Sequence, residues 1–197
     1  MNINKKSPVR KAIYAVLFLA MIGAFIYLSE KYKSNADDPV RIITNYYDMD
    51  LDNDFYPVIT GGQFINLIQK GKSIILVGSK TSSWSKEFVK QVNEDVKDLG
   101  VDKIYYYDIN NDKAQKNSNY YRIKELLEGS LTTTDGSKSN LLAPSIYIIV
   151  DGEVKYYNVD TVAMKNTLKV EDYWNDFKKQ EFKEELVNAI KKYYLNN

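Results

Sequence analysis

The chain has 197 residues, with no cysteine, no histidine, and only four prolines and nine glycines. Without cysteine, it can neither exchange disulfides nor present a thiolate nucleophile. Without histidine, it lacks the commonest metal ligand and the commonest general base near neutral pH. A formal net charge of +1 gives no electrostatic reason to expect nucleic-acid binding. We therefore expect no thiol chemistry, no cofactor, no metal and no nucleic-acid partner.

Residues 12–29 contain no charged side chain, and as a helix they would span about 27 Å, close to the hydrocarbon thickness of a bilayer. Four basic residues precede this run: Lys5, Lys6, Arg10 and Lys11. We predict an uncleaved N-terminal transmembrane helix in the cytoplasmic membrane, with residues 1–11 inside and the following domain outside. A cleaved signal peptide is the alternative, because the small residues 34–36 would suit a peptidase.

Residues 30–54 are interpreted as an acidic juxtamembrane linker. Aspartates alternate along its second half, at Asp48, Asp50, Asp52 and Asp54. This spacing is similar to that of a calcium-binding loop, but Asn53 stands where such a loop needs glycine and Ile59 where it needs glutamate. A solvated, self-repelling segment is the favoured interpretation.

Hydrophobic periodicity over residues 55–197 alternates between the period of a strand and the period of a helix. This alternation, followed by a hairpin at Asp151-Gly152 and a last helix, predicts an α/β domain with a mixed central sheet and helices on both faces. The predicted strands are 55–60, 73–79, 103–109, 145–150 and 153–158. The predicted helices are 62–70, 84–99, 117–127 and 173–194, and residues 129–140 are predicted as a loop.

One short motif lies at the junction of a strand and a helix. The apolar run 74–77 leads into Lys80-Thr81-Ser82-Ser83-Trp84-Ser85-Lys86, a helical pattern follows, and Ala143-Pro144 precedes a later strand. With cysteine at 82 and 85, this would be a strand, a C-x-x-C motif opening a helix, and a proline before a strand.

Over residues 55–195 the chain resembles the thioredoxin superfamily. The stretch 78–88 is similar to the small membrane-anchored thioredoxin-like proteins of Gram-positive bacteria, many of them called bacteriocin transport accessory proteins. The resemblance implies that Ser82 and Ser85 stand where the nucleophilic and resolving cysteines would be, and that Pro144 is a cis-proline beside them. It also implies a buried acid on the strand before the motif, where this chain has Leu76.

The two serines are poor nucleophiles without a neighbouring base, and Lys80 and Lys86 are predicted to lie in an exposed turn, where they would stay protonated. Serine does suit the N-terminus of a helix, where its hydroxyl accepts from free amides. Ser82 and Ser85 are therefore interpreted as degenerate redox positions with no catalytic role.

A binding site for an extended peptide needs no sulfur. The resemblance implies that Ala143 offers its backbone to a peptide strand beside Pro144, and backbone pairing tolerates many sequences. Trp84 is predicted either to anchor a peptide side chain or to pack against the sheet. We thus expect a redox-inactive adaptor outside the membrane that binds a secreted peptide or a subunit of a membrane or secretion complex. The alternatives are a thiol-disulfide oxidoreductase in which serine has replaced both native cysteines, and a purely structural subunit.

Overall fold

The computed structural model describes residues 14, 16–18, 20–24, 43–133, 139–159 and 168–196. The chain divides into two compact units, Met1–Arg41 and Ile42–Asn197. In the first unit the described residues are helical and their side chains are exposed. Among all described residues, the structure contains no helix with both the length and the apolar character needed to cross a membrane. Most of the predicted anchor, all of residues 1–11 and the junction at 34–36 lie outside the described residues.

A five-stranded mixed sheet forms the centre of the second unit. Its strands are β1 (Val58–Ile59), β2 (Ser73–Gly78), β3 (Tyr105–Asp108), β6 (Ser145–Val150) and β7 (Glu153–Asn158), in the spatial order β1-β3-β2-β6-β7. The first three run parallel, whereas β6 is antiparallel to β2 and β7 is antiparallel to β6. The mixed sheet confirms the predicted α/β class and has the thioredoxin-like topology that the resemblance implies.

The strand sequences explain this arrangement. Every residue of β2 and β6 is buried, as expected for apolar strands covered on both faces. The edge strand β7 alternates between exposed and half-buried residues until its last residue, Asn158, which is buried. Asp151 and Gly152 both have positive φ, at 53° and 80°, which is the conformation that a two-residue hairpin turn requires. The limits of β6 and β7 agree with their predicted limits.

Helices cover both faces of the sheet. They are α1 (Ile43–Tyr47), α2 (Gly61–Lys70), α3 (Ser83–Val96), α4 (Asn110–Gln115), α5 (Ser118–Leu126), α6 (Val170–Tyr173) and α7 (Asp176–Ala189), which continues as a π-helix over Ile190–Leu195. On one face Ile74 and Leu76 of β2 share a buried cluster with residues of α1, α3 and α7. On the other face Ile75 and Val77 pack with residues of α2 and α5. Successive side chains of β2 therefore point to opposite faces of the sheet and contribute to the hydrophobic core on each face.

The acidic segment before β1 is part of the folded domain. Ile43, Tyr47 and Leu51 are buried in the same cluster as Phe88 of α3. Asp52 closes a turn, because its Oδ1 accepts hydrogen bonds from the amides of Asp54 (2.8 Å) and Phe55 (3.3 Å). The compact unit consequently begins at Ile42 and not at residue 55. The predicted linker is wrong for residues 43–54, because three apolar side chains outweigh the acidic character of the segment.

Three further differences have local causes. Helix α4 was not predicted, and it ends at Lys116, whose left-handed φ of 46° separates it from α5. The predicted loop 129–140 contains a small hairpin, β4 (Thr132–Thr133) paired with β5 (Ser139–Asn140), with residues 134–138 outside the described residues. The predicted last helix is interrupted, because Asn175 caps a new helix by accepting from the Lys178 amide at 3.0 Å. Phe177, in the first turn of α7, is 78% exposed.

Candidate functional site

The motif at residues 82–85 and the proline Pro144 both adjoin the same end of the β2–β6 ladder. The antiparallel ladder between β2 and β6 ends with the pair Val77 and Ser145. The chain continues past Val77 into the turn that carries Ser82, and it enters β6 through Ala143-Pro144. The peptide bond between these two residues is cis, as the resemblance implies. The register thus brings the turn and the cis-proline together, with Ala143 half-buried just outside the ladder.

Ser82 caps helix α3. Its backbone is extended (φ −102°, ψ 122°), and its Oγ accepts from the Ser85 amide at 3.3 Å. Its carbonyl accepts from the Lys86 amide at 3.0 Å, which begins the helical ladder. Ser82 therefore satisfies amides that would otherwise lack partners at the start of the helix. It performs the structural role that its residue type predicts.

Ser85 is fully buried, and its hydroxyl is part of a hydrogen-bonded group. Its Oγ accepts from the Ser79 amide at 3.0 Å. It also hydrogen-bonds to the hydroxyl of Tyr47, which lies 2.5 Å from the hydroxyl of Tyr106. We call Ser85, Tyr47 and Tyr106 the hydroxyl chain. Burial raises the pKa of Tyr47 far above its ordinary value, against the hydrogen bonds from Tyr106 and Ser85. Burial likewise raises the pKa of Tyr106 well above its ordinary value.

Gly78 leaves the space in which the Tyr106 hydroxyl sits. A Cβ at position 78 would lie 2.3 Å from that oxygen and 2.6 Å from Cε2 of the ring. Sequence reasoning did not find Tyr47, Tyr106 or Gly78 as site residues. The alternation of β3 offers one signal, because it places Tyr106 on the same face of the sheet as Leu76.

An acidic side chain lies beside the turn, but not where the resemblance implies one. Leu76 is buried among apolar groups, whereas Asp108, at the end of β3, pairs with Gly78. The Asp108 carboxylate accepts from the Asn110 amide at 3.0 Å and from the Lys80 amide. Burial raises its pKa, and these hydrogen bonds and the Lys80 charge oppose the rise.

The serines have no activating base in this arrangement. Lys80 Nζ lies 5.7 Å from the ring centre of Tyr46, and Lys86 is exposed. Among the described residues, no hydrogen bond joins either serine hydroxyl to a lysine ammonium. In this arrangement the Ser82 and Ser85 hydroxyls both accept hydrogen bonds from backbone amides.

Trp84 is predicted either to anchor a peptide side chain or to pack against the sheet. It is 8% exposed, and its ring packs against Tyr173 with centroids 5.5 Å apart. Trp84 therefore lies in the core cluster of its face of the sheet.

A second polar cluster joins β3 to the start of α2. Asp112 accepts from the Tyr107 hydroxyl at 2.7 Å and from the Asn117 side-chain amide at 2.6 Å. A Cβ at Gly61 would lie 2.3 Å from the Asp112 carboxylate. This cluster is fully explained by packing, and within the described residues there is no group of three or more acidic side chains that could hold a metal ion.

Comparison with known proteins gives one fold and no family. No protein-family model matches the chain, and no curated protein sequence matches it. Among solved structures it is similar to a thioredoxin from Trypanosoma brucei brucei, with 13% identity and a TM-score of 0.42 over 73% of this chain and 97% of the thioredoxin. It is also similar to thioredoxin O2 from Arabidopsis thaliana, with 13% identity and a TM-score of 0.37 over 60% and 98% of the two chains. A third likeness, to an oxidoreductase candidate with a thioredoxin fold, has 15% identity and a TM-score of 0.39 over 59% and 94%.

These likenesses are too distant to argue for a site or an activity. The strand order, the register and the cis Ala143–Pro144 bond define a protein of thioredoxin-like fold on their own.

Proposed function

We propose that the chain is a redox-inactive thioredoxin-like adaptor that binds an extended peptide segment of a partner at Ala143. The observation that carries this proposal is the position of Ala143, which is half-buried, lies two residues before the end of the β2–β6 ladder at Ser145, and directly precedes the cis-proline. A peptide lying there adds a short strand through main-chain hydrogen bonds, and this requires no thiol.

The surroundings of the motif support binding over catalysis. Ser82 and Ser85 are both engaged in hydrogen bonds that stabilise the start of α3 and the core beneath it. The two serine hydroxyls therefore have structural roles, and the proposed binding relies on the backbone of Ala143 and on no side-chain chemistry at 82 or 85. In this proposal Pro144 shapes the peptide-binding site, whereas Trp84 is buried in the core and supports the start of α3.

The test uses two substitutions at one position. Ala143→Pro removes the amide N–H that a bound strand needs, while Ala143→Ser keeps the backbone donor and adds one small polar atom. We expect Ala143→Pro to weaken peptide capture by the full chain about tenfold, the effect of one lost hydrogen bond with an unsatisfied partner, and Ala143→Ser to leave it near the original value. Equal capture by both variants would contradict the proposal.

The partner and its compartment follow from the predicted anchor. An uncharged run at 12–29 behind four basic residues supports a single span with the domain outside the cytoplasmic membrane. The partner is then a secreted peptide or a membrane or secretion-complex protein. The test is protease digestion of intact and of permeabilised cells. We expect the protease to cleave the domain in intact cells, where it reaches only the outer face of the cytoplasmic membrane. Protection of the domain until the cells are permeabilised would contradict this orientation.

The second candidate is a thiol-disulfide oxidoreductase in which serine has replaced two native cysteines. It is favoured by the position of Ser82, half-buried at the N-terminus of α3, where a thiolate would be stabilised. The gene sequence decides this directly, since cysteine codons at 82 and 85 would restore the activity. A Ser82→Cys/Ser85→Cys variant that reduces a disulfide substrate would support it further.

A further inference from the structure

The hydroxyl chain connects the degenerate motif to the segment that precedes the sheet. Tyr47 lies at the end of α1, and its sequence separation from Tyr106 is 59 residues. Both hydroxyls are buried, and the Ser85 hydroxyl joins them from α3. Three elements that are distant in sequence therefore meet at one polar junction inside an apolar cluster.

Aromatic contacts hold the same segment against the same strand. The Tyr47 ring meets the Tyr106 ring edge to face, at 5.9 Å and 89°, and the Tyr46 ring meets it at 5.9 Å and 65°. Lys80, in the turn before α3, places its ammonium 5.7 Å from the centre of the Tyr46 ring. The segment thus contacts both β3 and the degenerate turn.

Two features of the junction favour a hydroxyl oxygen, and not a sulfur atom, on the side chain of residue 85 and on its neighbours. Gly78 leaves room for the Tyr106 hydroxyl that any Cβ would occupy, at 2.3 Å. Ser85 Oγ accepts from the Ser79 amide at 3.0 Å, a normal distance for an oxygen acceptor. A thiol is a weak donor and a weak acceptor, so cysteine at 85 would leave the partly buried Ser79 amide poorly satisfied and would leave the Tyr47 hydroxyl with Tyr106 as its remaining strong partner.

We propose that the position of the resolving cysteine has become the docking point of the segment 43–51, through the hydroxyl chain, and that serine is the native residue at 85. The segment thereby fixes the first helix of the folded domain against β3 and against the turn before α3. This inference is independent of peptide binding at Ala143.

The experiment compares variants of the full chain under reducing conditions. Tyr47→Phe, Ser85→Ala and Ser85→Cys are expected to raise the unfolding equilibrium constant on the order of tenfold each, because each leaves a buried polar partner unsatisfied. The double variant Tyr47→Phe/Ser85→Ala is expected to raise it by less than the product of the two single effects, because the two hydroxyls share one interaction. The matched controls are Tyr121→Phe and Ser83→Ala, at exposed positions, and both are expected to change it less than threefold.

Hydrogen exchange provides a readout that a general loss of stability does not imitate. Under native conditions we expect the amides of residues 44–47 to exchange faster in Tyr47→Phe and Ser85→Ala, with those of β2 and β6 changing much less. A Ser85→Cys variant as stable as the original chain, or independent effects of Tyr47→Phe and Ser85→Ala, would overturn the proposal. Neither outcome bears on peptide capture, which the Ala143 variants measure separately.

Discussion

The indole ring of Trp84 is covered by the phenol ring of Tyr173, with centroids 5.5 Å apart and a tilt of 56°. Tyr173 ends α6, and Lys178 Nζ lies 5.6 Å from the centre of its ring. The chain thus supplies its own aromatic partner for the residue that was predicted as a peptide anchor. A peptide side chain could contact only the part of the Trp84 indole that Tyr173 leaves uncovered.

This arrangement gives the first prediction. In a chain carrying Trp174→Phe, Trp84 is the single tryptophan, since the sequence has two. We expect Tyr173→Ala in that background to increase the quenching of Trp84 fluorescence by acrylamide several-fold, because the covering ring is removed. Tyr121→Ala, at an exposed position in α5, is the control. Unchanged quenching in the Tyr173 variant would show that another group covers the indole.

Gly78 provides the second prediction. Gly78→Ala places a methyl group 2.3 Å from the Tyr106 hydroxyl in a strand buried on both faces. Overpacking of this kind costs about 1–3 kcal/mol of unfolding free energy. Gly62→Ala is the control, because its Cβ would meet only Thr60 Oγ1 at 4.0 Å, and alanine favours the helix by up to about 1 kcal/mol. Urea denaturation measures both. A Gly78→Ala chain as stable as the original would mean that Tyr106 does not occupy this place.

The third prediction concerns where the folded domain begins. Ile43 is fully buried, so Ile43→Ala is expected to cost about 2–5 kcal/mol of unfolding free energy through lost burial and a residual cavity. Asp50→Ala, at an exposed position in the same segment, is expected to change it by less than about 0.5 kcal/mol. Thermal or urea denaturation separates the two. A segment that served only as a linker would give small effects at both positions.

The sequence predicts β6 and β7 to the residue because their signals are local. Continuous apolar character, alternation and an Asp-Gly turn each operate over a few positions. The packing of the segment 43–54 is not evident from its sequence, because its four alternating aspartates indicate a solvated segment, while three spaced apolar side chains decide its burial. Its position depends on contacts with β3 and α3, which no local pattern contains.

The candidate site divides in the same way. The turn at 82–85 and the cis bond at 143–144 follow from a motif and from the order of strands. The partners of Ser85 do not, because Tyr47 and Tyr106 reach it only after α1 has packed on the sheet. Asp108 is a similar case: it lies beside Gly78 because β3 and β2 are neighbours in the sheet, although they are separated by the whole of α3 in the sequence.

Asp108 gives the last prediction, which concerns pH. Burial raises the pKa of its carboxyl, with opposing contributions from the Asn110 amide and from Lys80. The folded chain therefore keeps the Asp108 proton to a higher pH than the unfolded chain does. Where the folded state binds more protons, the unfolding free energy falls as pH rises. The fall begins near the unfolded pKa of about 3.9 and ends once pH has passed the raised pKa of the folded state.

Asp108→Asn removes this titration and keeps a side-chain oxygen that accepts from the Asn110 amide. We expect the unfolding free energy of the original chain, minus that of Asp108→Asn, to decrease as pH rises through the unfolded pKa of about 3.9 and on through the raised pKa of the folded state. Urea denaturation at a series of pH values measures the difference, and Asp95, whose pKa burial also raises, contributes equally to both chains. A difference that increases with pH would mean that the carboxylate is stabilised in the fold, with its pKa lowered, and that the hydrogen bonds from Asn110 and Lys80 outweigh the burial of Asp108.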